Sequence, residues 1–395
     1  MLAPSIIESS FDAPLRVLFL DDTLPSALPK RHLQSVLKFL DPRLIHRTVV
    51  VPLRDATCEL LERSEAADEI IVEPNWVDSP MRAARGFKRV SELARSGAYD
   101  LIYCDGPSAG IAGAFLAAVA SVPALWHVRY TSVPRLVAPI HTRLSASSGV
   151  RRIVCASRAA AATFAHVGDK VRVVRSAVDT EEFAPKAVTP RLRRDLGISA
   201  DAVVFGTHGR LFAQRAYADL LGAAQVALSR MAREEAARTA FVVVGDAADD
   251  FFPEHAAACV ALARELGIDD KFRFAGFQED ARPYIADFDV ALDVGFPVEA
   301  TSSSILESMA MGKPVISFDA GSARELVEPG LTGALVSGAP RDLDELAAQM
   351  LRYHRHPELR LRQGAAARSH AVRSLDARLR ARLIQAEILD VVGEA

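Results

Sequence analysis

Two successive series of short apolar strands, each alternating with longer helical patterns, constrain this chain more than any other feature. From Leu15 to about Val178 the runs RVLFL, RTVVV, EIIV, DLIYC, ALWHV, RRIVCA and VRVV recur between helical stretches. A polar, proline-containing passage, EEFAPKAVTPRLRRDLGISAD, interrupts them. AVVFG, AFVVVG, FRFAG, VALDV, PVISF and TGALV then restart the rhythm. Each series predicts a parallel sheet covered by helices on both faces. At 395 residues the chain exceeds one ordinary core, so two such α/β domains are expected. The expected division is a first domain over 1–188, a second over 189–368, and a last helical segment over 369–395. Leu379, Leu383, Ile384, Ile388 and Leu389 have helical spacing in that last segment and predict packing back on the first domain. Doubly wound sheets bind ligands at the carboxyl ends of their strands, so the expected site faces a cleft between the domains.

Composition excludes several function classes. The net charge of −3 argues against a nucleic-acid surface, although the first 188 residues carry +3 and the remainder −6. No apolar stretch reaches membrane-spanning length, and MLAPSIIESSFDAPLRV lacks a basic head followed by an apolar core. A cytoplasmic location is therefore expected. Cys58, Cys104, Cys155 and Cys259 lie far apart, which predicts buried thiols rather than a metal cage or a disulfide framework.

The strongest chemical signal is the run VEATSSSILESMAMGKPVIS, in which Glu299 and Glu307 bracket a loop entering a helix. Thr301, Ser302, Ser303 and Ser304 suit a helix start rich in unpaired amide donors. Such a start favours an anion, and a phosphate gains both hydrogen bonds and the positive end of the helix dipole. Glu307, more than a turn inside, could accept hydrogen bonds from two sugar hydroxyls, and Glu299 could grip a second polyol. Other strand ends carry related features. THGRLFAQRAYADLL places Arg210 and Arg215 where both could reach one diphosphate. Gly245-Asp246 forms a tight turn, and Gly276 with Phe277 offers an edge for a planar base.

In this order the elements resemble the retaining glycosyltransferases of family 4, which have the GT-B fold of two doubly wound, Rossmann-like domains. The resemblance rests on residues 209–336. They carry a Gly-Arg-Leu turn, a Gly-Asp turn, the two glutamates, ESMAMGKPVI and ELVEPGLTGALV. LIYCDGPSAGIAGAFLAAV, VPALWHVRY, RRIVCASRAAAATF and VRVVRSAVDTEEFAP extend it more weakly into the first half. Ala300-Thr301-Ser302 stands where the family usually has Gly-Phe-Gly, and Arg215 where it usually has lysine.

The resemblance implies transfer of a sugar from a UDP- or GDP-linked donor to a hydroxyl of a glycan or lipid-linked acceptor. It implies no metal and no cofactor, since the nucleotide sugar is a substrate. Gly209, Arg210 and Arg215 would hold the diphosphate, together with the amides of Ser303, Ser304 and Ile305. Glu307 would bind the ribose, Glu299 the transferred sugar, and Gly276 and Phe277 would border the base. His127, which on its own would read as a core histidine, would approach the donor sugar from the first domain. Two other readings fit the same fold: a non-catalytic protein that binds nucleotide sugar or a partner transferase, and a sugar-nucleotide epimerase. The 80–97 helix sets Phe87, Val90, Leu93 and Ala94 against Arg82, Arg85, Lys88, Arg89 and Arg95. That pattern fits either a solvated helix covering the sheet or a peripheral contact with anionic lipid.

Overall fold

The computed structural model describes residues 13–21, 31–73, 80–96, 98–133, 135–209, 216–245, 253–295, 300–339 and 341–394. The chain forms two units, one of 1–175 with 377–395 and the other of 176–376.

The first unit is built on a seven-stranded sheet. Its strands are β1 (Leu15–Asp21), β2 (Ile45–Val51), β3 (Glu69–Val72), β4 (Leu101–Asp105), β5 (Ala124–Val128), β6 (Val150–Cys155) and β7 (Val171–Val173). The order is β3-β2-β1-β4-β5-β6-β7 and every pairing is parallel. The chain winds outward from β1 to β3, then crosses to β4 and winds the other way. This reversal opens a crevice at the carboxyl ends of β1 and β4, where neighbouring connections leave on opposite faces.

The same construction recurs in the second unit with β8 (Val203–His208), β9 (Thr239–Val244), β10 (Phe272–Phe274), β11 (Val290–Asp293), β12 (Val315–Phe318) and β13 (Gly333–Val336). Their order is β10-β9-β8-β11-β12-β13, again all parallel, so the reversal falls between β8 and β11. The strands expected from the apolar runs are thus present in both sheets. β4, β5, β8, β9, β11 and β12 are buried along their whole length, which is why each reads as an unbroken apolar run.

The boundary lies before the proline-containing passage. Residues 176–188, placed with the first domain by sequence, pack in the second unit. Val178 and Phe183 are buried there with Ile305, Met309 and Ala371, and Val178 N donates to Leu375 O at 2.9 Å. The prolines mark a turn, whereas the change of core occurs at Arg175. Likewise 369–376 completes the helix Pro357–Ser374 of the second unit, and only the helix Ala377–Gly393 belongs to the first. Its Ala381, Ile384, Ile388 and Val391 enter the core of Phe19, Leu37 and Leu125. Arg152 of β6, almost fully buried, pairs with Glu387 at 3.1 Å and with Asp390, so one guanidinium holds this helix to the sheet.

The apolar face of the helix Pro80–Arg95 is used inside the fold. Val90 and Ala94 are buried, and the Phe87 ring meets Phe115 edge-on at 6.5 Å. Arg89 pairs with Glu73 at 3.3 Å and Lys88 with Glu92 at 3.9 Å. The apolar side of its pattern is therefore used in packing within the unit, against the helix Pro107–Ala120. The side chains of Arg82 and Arg85 lie outside the described residues. No helix among the described residues is long and apolar enough to cross a membrane.

Candidate functional site

The crevice between β8 and β11 gathers the second unit's polar groups. His208 ends β8, Asp293 ends β11, and the helix Ser303–Ala310 begins shortly after. Glu307 lies on that helix, and His208 Nε2 donates to its Oε2 at 2.9 Å. His208 is nearly buried and Glu307 mostly so, which leaves the carboxylate one face for a ligand. Ser302 is the N-cap, as its position suggests, but its side chain does not cap. Instead Ser302 Oγ and Ser304 Oγ share a 2.8 Å bond, and Ser304 Oγ donates to Asp293 Oδ1 at 2.8 Å. This chain ties the helix start to the end of β11. Ser304 thus contributes its side chain to the scaffold, and Ile305 is fully buried, while the Ser303 side chain is exposed.

The far end of the same helix is fixed as firmly. Arg368 Nη1 donates to Ala310 O at 2.8 Å, in the last turn of the helix, and to Phe183 O at 2.9 Å. Gly364 faces Gly312 so closely that a Cβ on Gly364 would lie 2.3 Å from the Gly312 carbonyl oxygen. Both contacts hold the Glu307 helix at a set depth against Pro357–Ser374.

Beside Glu307, three strand ends interlock through glycine. Gly209 N donates to Val244 O and Gly245 N to Gly276 O, both at 2.9 Å. All three glycines have positive φ: 126° at Gly209, 137° at Gly245 and 66° at Gly276. A Cβ on Gly245 would sit 2.0 Å from the Gly209 carbonyl oxygen, so no side chain fits there. Phe277, next to this clasp, is about half exposed, an aromatic ring left at the end of a sheet rather than in the core. Glu307, Ser303, Ser304, Ile305, Gly209, Gly276 and Phe277 thus belong to connections at the carboxyl ends of the second sheet's strands. Arg210, Arg215 and Glu299 lie outside the described residues.

His127 is in the first unit, within a second polar cluster at the β1/β4 crevice. Asp105 ends β4 and is almost fully buried. Its carboxylate contacts His32 Nε2 at 2.8 Å, Arg129 Nε at 2.9 Å and His127 Nδ1 at 3.4 Å. Burial alone would raise the Asp105 carboxyl, but the Arg129 guanidinium and the two histidines outweigh it and hold the group well below the usual carboxylate range. Burial pushes the His127 imidazole down, against the opposing pull of Asp105, so the ring is neutral at pH 7. Since Nδ1 faces the carboxylate it carries the proton, which makes Nε2 an acceptor. Nε2 is buried and has no partner among the described residues. The cluster therefore presents one acceptor nitrogen of fixed tautomer, suited to a hydroxyl donor.

Sequence patterns did not point to His208, Asp293, Asp105, His32 or Arg129. The available signal was position: four of the five lie at or next to the carboxyl end of a strand, where a polar residue interrupts an apolar run.

Residues 202–356 match the family model of the group 1 glycosyl transferases, and residues 30–182 match that of glycosyltransferase family 4. Among curated proteins the chain is similar to the D-inositol 3-phosphate glycosyltransferase of Kribbella flavida, 35% identical over 205 residues, 51% of this chain and 47% of that protein. It is also similar to the enzyme of the same name from Saccharomonospora viridis, 34% identical over 208 residues, 52% of this chain and 47% of that protein. The chain thus spans about half the length of the curated relatives it matches. Among solved structures it resembles Anabaena HepE in complex with UDP and glucose. The TM-score is 0.80 at 23% identity, over 95% of this chain and 100% of that one. A glycosyltransferase from Rickettsia africae has a TM-score of 0.80 at 18% identity, over 95% of this chain and 99% of that one.

Proposed function

The chain belongs to the family 4, group 1 glycosyl transferases and has their GT-B fold, and from that premise we propose that it moves a sugar, with retention, from a nucleoside diphosphate donor to an acceptor hydroxyl. The observation that carries this reading is the Glu307–His208 pair beside the glycine clasp at the β8/β11 reversal. A carboxylate held by a histidine accepts hydrogen bonds from the ribose diol. With no side chain at Gly209 or Gly276 a diphosphate can come close to the backbone, and Phe277 borders the base. The donor is UDP- or GDP-linked, and the acceptor is a glycan or a lipid-linked sugar.

In the transfer step the bond from the anomeric carbon to the diphosphate oxygen breaks and a bond from that carbon to the acceptor oxygen forms. The acceptor attacks from the face the diphosphate leaves, and its proton passes to the departing phosphate oxygen. The protein has no need of a strong base; its task is to stabilise charge on the leaving group. Arg210 and Arg215 supply that positive potential, with the amides of Ser303, Ser304 and Ile305 at the start of the Glu307 helix. Glu299 holds hydroxyls of the transferred sugar, and His127 Nε2 accepts from a substrate hydroxyl. In this reading transfer needs no metal, so EDTA leaves the rate unchanged. All four cysteines are free, which supports a reducing, cytoplasmic site of action.

A thermal-shift screen with UDP, GDP, ADP and their sugars tests the donor assignment. A matching nucleotide at a hundredfold excess over Kd stabilises its unit by about 2.7 kcal/mol, a shift of several degrees. Glu307→Ala should abolish most of that shift. No response to any nucleotide would overturn the assignment.

A further inference from the structure

The buried face of the helix Ala377–Gly393 is apolar except at Arg380, which lies between Ala377 and Ala381, Ile384, Ile388 and Val391. The Arg380 side chain is almost fully buried, at 2% exposure. No carboxylate pairs with it among the described residues, in contrast to Arg152, which meets Glu387 and Asp390 on the same helix. Burial pushes Arg380 down to about 10, so it still carries its charge at pH 7. A buried cation without a direct counter-ion is costly, and an apolar side chain of similar size in its place is often neutral or stabilising. The fold alone therefore does not call for an arginine here.

What the guanidinium touches lies in the first unit's crevice. Arg380 Nη2 donates to His32 O at 2.9 Å and to Ser35 Oγ, and Ser35 Oγ donates to the same His32 O at 2.8 Å. These bonds fix the first turn of the helix Arg31–Leu37. From that turn His32 Nε2 reaches Asp105 at 2.8 Å, and Asp105 meets His127 Nδ1 at 3.4 Å. Tyr103, two residues before Asp105 and so on the same face of β4, sets its ring edge-on to His127 at 5.7 Å. Arg380 Nε and Nη1, Tyr103 Oη and His127 Nε2 are all buried and have no partner among the described residues. The charged and titratable groups around the His127 ring are thus Asp105, Tyr103, Arg129, His32 and Arg380, with Asp21 of β1 in register with Asp105. Burial pushes the His127 imidazole down, Asp105 pulls it up, and the Arg129 and Arg380 cations push it down again.

We propose that Arg380 is a positioning residue of this cluster: from the last helix it sets the first turn of Arg31–Leu37 and, through His32 and Asp105, keeps the His127 ring with its proton on Nδ1 and Nε2 open to a hydroxyl. The use of that nitrogen rests on the sugar-transfer reading, whereas the placement of the ring is a property of the free protein. The chain re-enters the first unit at Ala377, so this cation is planted in the crevice within one helical turn of the crossing.

Histidine titration by long-range proton–nitrogen NMR on the full chain tests the placement, with His127→Gln assigning the resonance. In the wild type the His127 proton should sit on Nδ1. Arg380→Met keeps an aliphatic stem and removes the charge and the donors. His127 should then protonate at a pH at least about one unit higher. The acid limb of kcat/KM for transfer should move up by the same amount, because a protonated ring has no acceptor nitrogen. Arg380→Lys, which keeps a cationic donor on a similar stem, should restore most of both. A tie between helices and nothing more gives a different pattern, in which both variants lower the first unit's thermal midpoint and His127 titrates as in the wild type. That pattern would overturn the proposal, as would an Arg380→Lys protein that titrates like Arg380→Met. If the wild type transfers no sugar, the transfer reading falls by itself, and the titration still decides: an upward move in Arg380→Met supports the placement and an unmoved midpoint refutes it.

Discussion

Replacing Gly245 by alanine tests the glycine clasp and its link to the site together. Two costs can be worked out from the structure. Alanine at φ 137° is strained by about 1–3 kcal/mol. Its Cβ would also lie 2.0 Å from the Gly209 carbonyl oxygen, a contact that only a shift of the Gly209 turn relieves. That shift lengthens the 2.9 Å bond from Gly209 N to Val244 O, which adds about 1 kcal/mol. The total is about 2–4 kcal/mol. For a unit of this size it corresponds to a fall of roughly 5–15 °C in the second unit's transition by calorimetry. The Gly209 turn leads into Arg210, so donor affinity measured by isothermal titration should also fall, by at least about tenfold. An unchanged melting temperature would refute the close approach of the two turns. A lowered melting temperature with wild-type affinity would refute the assignment of the clasp to the donor site. Gly206→Ala serves as the control: its Cβ would lie 2.2 Å from the Phe288 ring inside the core, so it should destabilise and leave the affinity of the folded fraction intact.

Removing the imidazole in His208→Ala deprives Glu307 of its 2.9 Å partner, and steady-state kinetics should show donor KM rising about tenfold or more with kcat little changed. Asp105→Asn removes the buried carboxylate that faces the Arg129 guanidinium and the His32 and His127 rings, at a cost of about 3 kcal/mol at pH 7 by chemical denaturation. Because the native Asp105 carboxyl is held below its unfolded value, the stability it contributes is complete above about pH 4 and is lost as pH falls through the native value. The gap between wild type and Asp105→Asn should therefore narrow toward pH 3. Ile384→Ala, a fully buried site on the last helix, should lower the first unit's transition by about 2–4 kcal/mol and leave the second unit's unchanged.

Much of the fold was legible because both sheets are covered on both faces, which turns each central strand into an unbroken apolar run. The Glu307 helix and the glycine turns were legible for a related reason, since their geometry admits few residue types. At Gly245 only glycine fits. The partners of those residues were not legible. His208 meets Glu307 across 99 positions of chain, and nothing periodic marks a single histidine at a strand end. The Asp105 cluster is drawn from β4, β5 and the helix after β1, so it exists only once the strands are ordered. The domain boundary was misplaced for a physical reason too: prolines report local turns, whereas the change of core at Arg175 depends on where Val178 and Phe183 find partners. The pattern of the 80–97 helix fits a buried face and a lipid-facing one equally well, and only the burial of Val90 and Ala94 separates them.

Sugar transfer from a nucleoside diphosphate donor bound at the β8/β11 crevice can be measured as product. Release of nucleoside diphosphate from UDP- and GDP-sugars, followed for wild type, Arg210→Ala and Glu307→Ala, tests it most directly. The wild type should release it from at least one donor, unchanged by EDTA, with a loss of about a hundredfold or more in both variants. Undiminished release by either variant, or no release by the wild type from any donor and acceptor mixture, would contradict it.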